Sequence, residues 1–147
     1  MLTCLLFISM LTPPTYQDQE RLYTCIDLIE LSDQYMIPPA LVLSVSWFES
    51  NWLQELDDNG SSCYGPLQIK SKYWCENKEG IWNKHKKDGL LMSCDLTDRG
   101  LFALSYYIDK YSNIDDSLCH FGGCDSKRRQ YIKKIKRLFK RLYVYIN

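Results

Sequence analysis

The 147-residue sequence lacks the usual signatures of metal-binding, nucleotide-binding and membrane-spanning proteins. It has only two histidines, His85 and His120, and no C-x-x-C pair, so a zinc site is not expected. The segment HFGGC is not followed by the Lys-Ser/Thr pair of a phosphate-binding loop. The apolar run over residues 2–11 is too short to span a bilayer. We therefore expect neither a metal nor a cofactor.

The sequence also has no net charge, because 18 basic residues balance 18 acidic ones. The distribution is uneven, since nine of the basic residues fall between Lys127 and Arg141. There they surround an apolar stripe at helical spacing, formed by Tyr131, Ile135, Leu138, Leu142 and Tyr145. These charges are interpreted either as a solvated helix face or as a contact surface for an anionic polymer or a membrane. No nucleic acid partner is expected.

The N-terminal residues 1–17 form a segment distinct from the rest. The length of their apolar run is typical of a signal peptide, although no basic residue precedes it. The alternatives are a short hydrophobic helix or a membrane tether. We therefore expect residues 18–147 to form the functional domain of a secreted or periplasmic protein.

The cysteine count supports export. Of the seven cysteines, Cys4 would leave with the N-terminal segment, and the remaining six are an even set, as in proteins of oxidising compartments. Sequence alone does not determine the pairing. Cys119 with Cys124, and Cys63 with Cys75, are the pairs that would close short loops.

The remaining sequence predicts a mainly α-helical domain. Apolar periodicity indicates helices over residues 18–36 and 95–111 and from residue 126 to the C-terminus, with Asp18 as an N-cap. Two prolines after Ile37 favour a helix from Pro39 to about Ser50. Residues 53–66 are rich in turn formers and predict a small loop or hairpin insertion.

The helix ALVLSVSWFESNW (residues 40–52) carries one carboxylate, Glu49, at the end of an otherwise apolar run. The negative end of the helix dipole disfavours an ionised side chain there. Nearby aromatic residues (Trp47, Phe48 and Trp52) would exclude water and raise the pKa of Glu49 further. A carboxylic acid that stays protonated near neutral pH can act as the general acid in glycosidic bond cleavage.

Two motifs follow in order. Glu49-Ser50 is followed, after one loop, by Gly65-Pro66-Leu67-Gln68-Ile69. Over about residues 25–140 the sequence resembles the lysozyme-like lytic transglycosylases of the soluble (SLT) type, which pair an E-S dipeptide with a G-L-M-Q-I-like motif. Pro66 and Leu67 stand where that family prefers Leu-Met. A third motif of the family maps onto residues 120–123, where His120 and Phe121 replace the usual Tyr-Asn.

The resemblance implies a mainly α (α+β, lysozyme-like) fold with the hairpin beside an active-site cleft. It implies peptidoglycan glycan strands as the substrate of a monomeric enzyme. Glu49 would protonate the bond between N-acetylmuramic acid and N-acetylglucosamine and then take the proton of the muramyl C6 hydroxyl, giving a 1,6-anhydro product. Gln68 would hold a sugar amide or position Glu49, and Gly65 would let the backbone approach the glycan. The other implied substrate contacts are Ser62, Tyr64, Tyr107, His120 and Phe121, although core packing is the alternative for Tyr64 and Tyr107.

Two alternatives stay open. A hydrolytic muramidase on the same fold would use a second carboxylate or a positioned water, and Asp57 and Asp58 are the candidates for that carboxylate. These two residues are also typical of a turn. A non-catalytic protein that binds the cell wall is the other alternative, and unlike an enzyme it would be indifferent to Glu49→Gln.

Overall fold

The computed structural model describes residues 1–54, 63–75, 94–122 and 126–146. Helices dominate the described chain: α1 (Leu2–Leu11), α2 (Asp18–Gln34), α3 (Pro39–Ser50), α4 (Ser71–Trp74), α5 (Leu96–Lys110), α6 (Ile114–Gly122) and α7 (Ser126–Ile146). The short strands β1 (Cys63–Tyr64) and β2 (Ile69–Lys70) lie between α3 and α4. The prediction of a mainly α-helical protein is therefore confirmed.

Helix α3 is the central helix. Every residue from Ala40 to Ser46 is buried, and the helix packs against α2 and α7. Pro39 occupies its first turn, where the missing N–H costs nothing. The helix ends because Asn51 adopts a left-handed conformation (φ 55°) while its N–H still bonds Trp47 O. An all-round apolar sequence thus forms a core helix whose last turn reaches the surface.

Strands β1 and β2 form an antiparallel hairpin, in which Cys63 pairs with Lys70 and Tyr64 with Ile69. The turn between them needs a glycine at Gly65, which has a φ of 81°. A Cβ at this position would lie 2.7 Å from the Cβ of Leu96. Leu67, in the same turn, is fully buried. The hairpin is therefore fastened to the core by its turn.

The C-terminal half is formed by α5, α6 and α7. Asp95 caps α5 by accepting a hydrogen bond from the Asp98 N–H at 3.1 Å. In α7, the predicted stripe is buried at Ile135, Leu138 and Leu142, whereas Tyr145 is exposed. Helix α6 was not predicted. Its hydrophobic side faces α5 and α7.

Helix α1 packs on the core through Cys4, Phe7 and Ile8, and Cys4 forms a disulfide with Cys25 of α2. The prediction that the disulfide-forming cysteines are the six other than Cys4 is therefore wrong, because Cys4 is itself disulfide-bonded. Removal of residues 1–17 stays a prediction, and it would break this bond. No described helix combines the length and apolar character needed to cross a membrane.

The second disulfide joins Cys75 to Cys94, with Cα atoms 5.6 Å apart. The predicted Cys63–Cys75 pairing is therefore wrong. Cys119 is also disulfide-bonded, while its predicted partner Cys124 lies outside the described residues. Disulfides of this number fit an oxidising compartment.

At the start of α2, the predicted cap is off by one residue. The N-cap is Gln17, and Asp18 is the first helical residue. The Asp18 carboxylate instead accepts hydrogen bonds from the N–H and hydroxyl of Thr15, and it forms an ion pair with Arg21. These bonds hold the pKa of Asp18 below its usual value.

Candidate functional site

A cleft of about 490 Å³ opens where the end of α3 meets the hairpin and the helices that follow it. Glu49 and Arg128 lie on one side, and Gln68 lies on the hairpin side. Its described lining consists of Glu49, Cys63, Gln68, Ile69, Lys70, Tyr73, Trp74, Tyr107, His120, Phe121, Gly122 and Arg128. Glu49 is the single carboxylate in this described lining.

Glu49 is nearly enclosed, with 13% of its side chain exposed. Its Oε1 accepts a hydrogen bond from Arg128 Nη2 at 2.6 Å. Burial raises the pKa of the Glu49 carboxyl, and the guanidinium of Arg128 opposes part of this rise. The carboxyl therefore binds a proton more tightly than an exposed glutamate does.

The aromatic residues expected near Glu49 are Trp47, Phe48 and Trp52, and none of the three is in the described cleft lining. Trp52 is fully buried and donates its indole N–H to Leu43 O, while Trp47 packs edge-on against Trp52. Neither lines the described cleft. Trp47 lies two positions before Glu49 and so on another face of α3, and Trp52 follows the end of the helix with a left-handed backbone (φ 59°). Phe48 instead contacts Tyr131, whose pKa is raised by burial and by the charge of Glu49.

Ser50, the second residue of the E-S dipeptide, links α3 to the turn of the hairpin. Its hydroxyl donates to Pro66 O at 2.8 Å, and the hydroxyl of Ser46, one turn earlier, donates to the same oxygen at 2.8 Å. Both serines are buried. The residue after Glu49 thus ties the hairpin turn to α3, and this brings Gln68 to the cleft that holds Glu49.

We predict that these two hydroxyl groups stabilise the fold together. Single changes, Ser46→Ala or Ser50→Ala, should each lower the free energy of unfolding by about 1 kcal/mol, because one donor remains. The double variant should lose about 2–3 kcal/mol, since the buried Pro66 oxygen then loses both donors. Urea denaturation measures these differences.

Ser44→Ala is the matched control for this series. Ser44 is buried on the same helix, but its hydroxyl donates to Ala40 O, an oxygen within the helix. Its loss should be smaller than about 0.5 kcal/mol. A double variant no less stable than Ser44→Ala would contradict the anchoring role.

Gln68 is held in an unusual backbone conformation, with a φ of 49°. Its N–H and its side-chain Nε2 both donate to Gly65 O, at 3.1 and 2.9 Å. These bonds fix the amide at the edge of the cleft. The strained backbone position is typical of a residue whose direction matters to a site.

An aromatic wall, defined here as Trp74, Tyr107 and Phe121, closes another side of the cleft. Tyr107 packs edge-on against Trp74 at 6.0 Å and against Phe121 at 6.2 Å. Arg99 Nε donates to Trp74 O at 2.7 Å, which holds the tryptophan in place. Such a wall presents apolar ring faces and edges to a ligand.

The predicted site residues fall into three groups. Glu49, Gln68, Tyr107, His120 and Phe121 all line the cleft. Tyr64 and Gly65 do not: Tyr64 pairs with Ile69 in the hairpin, and Gly65 packs against Leu96. The implied contact of Gly65 with a glycan stays a prediction. Ser62, Asp57 and Asp58 lie outside the described residues.

Arg128 and Trp74 are the site residues that sequence reasoning missed. The basic residues of the C-terminal helix, Arg128 among them, are interpreted from sequence either as a solvated face or as a contact surface for an anionic polymer or a membrane. However, Arg128 precedes Tyr131 by three residues, Ile132 by four and Ile135 by seven, so it lies on the buried face of α7. That spacing is a signal that could have identified it. Trp74 is the last residue of the short helix α4, which follows the hairpin, and it carries no comparable signal.

A groove of about 730 Å³ between α6 and α7 is bordered by five other basic residues of α7, namely Arg129, Lys133, Lys136, Arg137 and Lys140. Acidic side chains lie in the same groove, and Lys136 forms an ion pair with Asp115 at 2.9 Å. The groove thus combines charges of both signs. An anionic polymer or membrane partner of α7 stays a prediction.

Among the described residues, no group of three His, Cys, Asp or Glu side chains is arranged to hold a metal ion. Comparisons of the chain with protein-family models, curated proteins and solved structures found no match.

Proposed function

We propose that the protein is a peptidoglycan lytic transglycosylase that cleaves the β-1,4 bond between N-acetylmuramic acid and N-acetylglucosamine. The observation that carries this proposal is the placement of Glu49 and Gln68 in one cleft by the hydrogen bonds of Ser46 and Ser50 to Pro66. These are the residues of the two motifs that resemble the SLT family. The fold would then be lysozyme-like.

Glu49 acts first as the acid. It protonates the glycosidic oxygen as the bond from that oxygen to the muramyl C1 breaks. The resulting carboxylate then accepts the proton of the C6 hydroxyl, whose oxygen bonds to C1 and closes the 1,6-anhydro ring. The proton returns to Glu49 and no water is consumed. One carboxylate therefore suffices, in keeping with the single carboxylate of the described lining.

The rest of the cleft binds the glycan. The aromatic wall offers ring surfaces to the apolar faces of the sugar rings. The amide of Gln68 can exchange hydrogen bonds with an N-acetyl group. Such an enzyme works outside the cytoplasm, as a secreted or periplasmic monomer. The two disulfides fit the oxidising compartment that this implies.

Solubilisation of purified peptidoglycan sacculi tests this proposal. The oxidised protein should release soluble muropeptides, and Glu49→Gln should not. If neither form releases products but both bind the sacculi, the protein is a wall-binding protein. If neither form binds or releases anything, the proposed substrate is wrong.

We predict that activity declines as the pH rises, because Glu49 must be protonated to donate its proton. Since burial raises its pKa, this decline should lie at a higher pH than the titration of an exposed glutamate. The alkaline limb of kcat/KM against pH measures it. The other titratable or charged groups that face Glu49 across the cleft or from α7 are Cys63, Lys70, Tyr73, Tyr107, His120, Arg128 and Tyr131.

His120→Gln is the control for this pH profile. If the limb remains in this variant, it does not belong to His120.

The stability of the fold should change in the same pH window. A carboxyl whose pKa is raised by folding contributes most stability at low pH, and this contribution is lost as the pH rises through the raised pKa. Glu49→Gln should therefore abolish this part of the pH dependence of unfolding, and an unchanged dependence would contradict the raised pKa.

A further inference from the structure

The side chain of Arg128 is enclosed by Tyr131 and by Gly122. It is 11% exposed, and its guanidinium carbon lies 4.6 Å from the centre of the Tyr131 ring. A Cβ on Gly122, at the end of α6, would overlap this guanidinium group. The glycine thus leaves the space through which Arg128 reaches Glu49.

When Glu49 is protonated, the described cleft lining has an excess of positive charge. Lys70 and Arg128 carry positive charges, and Glu49, the single carboxylate of that lining, is then neutral. The acid form required for catalysis thus turns the described lining into a cationic surface. Such a surface favours an anionic ligand over a neutral one.

We propose that Arg128 is a specificity residue that binds a carboxylate of the substrate, so that the enzyme prefers anionic over neutral glycan strands. This inference rests on the proposed function. In the structure the guanidinium pairs with Glu49, and in the complex with substrate it pairs with the substrate carboxylate instead. The chemistry is that of an arginine–carboxylate fork.

This change of partner, in which Arg128 leaves Glu49 and pairs with the substrate carboxylate, couples substrate binding to the chemical step. A glutamate that must donate a proton cannot keep its ion pair with Arg128, and loss of a partner charge from a buried arginine is costly. A substrate carboxylate offsets that cost when it takes the place of Glu49. A neutral glycan supplies no such group. In peptidoglycan the carboxylate has two sources, the lactyl group of a peptide-free muramyl residue or the peptide attached to it.

Binding measurements on the Glu49→Gln background test this inference without turnover. The first probe is a hexasaccharide of alternating N-acetylglucosamine and N-acetylmuramic acid without peptide, and the second is the same hexasaccharide with its peptides. The neutral chain is chitohexaose. Adding Arg128→Gln should weaken binding of carboxylate-bearing chains about 10–100-fold, as expected for loss of a charged hydrogen bond. Binding of chitohexaose should change less than about twofold. The probe with the larger loss identifies the carboxylate source.

Gly122→Ala and Arg129→Gln complete the set. Gly122→Ala should weaken binding in the same direction, because its methyl group displaces the guanidinium without removing the charge. This variant also tests the inference if Arg128→Gln does not fold. Arg129→Gln removes an exposed neighbour that borders the other groove, and it should leave all three affinities unchanged.

Equal losses for neutral and anionic chains in Arg128→Gln would overturn the inference and leave Arg128 a structural role. Unchanged binding of the anionic chains would overturn it as well. Selective binding that depends on Arg128, in a wild-type protein that cleaves nothing, would support the inference and refute the proposed function. If the wild-type protein cleaves peptidoglycan but its binding of anionic chains does not depend on Arg128, the proposed function is supported and the inference is refuted.

Discussion

Glu49→Gln should reduce the release of muropeptides from peptidoglycan by about 10³-fold, the loss expected for removal of a general acid. Glutamine has nearly the same shape and keeps an oxygen that can accept the hydrogen bond of Arg128. It cannot donate the proton that bond cleavage requires. The variant should therefore fold and bind glycan strands but not cleave them.

The control for this variant is Glu30→Gln, the same change at an exposed position of α2. It should retain full activity. Thermal unfolding followed by circular dichroism confirms that both variants are folded at the assay temperature. Cleavage by Glu49→Gln within about tenfold of the wild-type rate would show that another group supplies the proton.

Trp52→Ala should lower the free energy of unfolding by about 4 kcal/mol, one of the largest losses expected for a single residue here. The indole is fully buried and packs at 5.1 Å from Trp47. Its Nε1 donates to Leu43 O at 2.8 Å. This side chain folds back under α3 and holds the end of the helix that carries Glu49. Because small proteins are only marginally stable, most of the stability would be lost.

Trp52→Phe separates packing from hydrogen bonding. Phenylalanine keeps much of the apolar volume but cannot donate to Leu43 O, so the loss should be about 1–2 kcal/mol. Chemical denaturation followed by far-UV circular dichroism measures both variants. A loss below about 1 kcal/mol for Trp52→Ala would contradict the role of this residue in anchoring α3.

The helices were predictable because local signals determine their ends. Pro39 at the start of α3, the Asp95 cap of α5 and the apolar stripe of α7 each lie within one or two turns of the feature they define. Helix α6 has such signals too, although it was not predicted: the side chain of Asn113 accepts a hydrogen bond from the Asp116 N–H at 2.8 Å, and Asp115 and Asp116 lie in the first turn. What local sequence does not reveal is that α6 packs against α5 and α7.

The site was predictable where the motifs place residues, and less so where tertiary packing does. Glu49 and Gln68 line the same cleft, and the hydrogen bond from Ser50 to Pro66 O ties the turn that carries Gln68 to α3. Trp47 and Trp52, expected beside Glu49, do not line the described cleft, because Trp47 lies on another face of α3 and Trp52 follows the end of the helix. Arg128 was missed because nine basic residues in one helix look alike until their faces are compared.

The disulfides show the same limit. Cys75 pairs with Cys94, 19 residues later, rather than with Cys63, which is closer in sequence. Short loops are favoured by chain entropy, but the fold decides which Cα atoms come within bonding range. Cys4 pairs with Cys25 because α1 packs on α2, a contact that the interpretation as a removable segment leaves out.

The most direct test of the central claim, that Glu49 alone carries out lytic transglycosylation, is digestion of peptidoglycan in heavy-oxygen water followed by mass spectrometry of the products. The proposed mechanism predicts 1,6-anhydromuramyl products that carry no heavy oxygen, because the C6 hydroxyl closes the ring and no water is added. Reducing-end products that carry one heavy oxygen would contradict it. Hydrolysis would then be the reaction, and Asp57 and Asp58 would be the next residues to change.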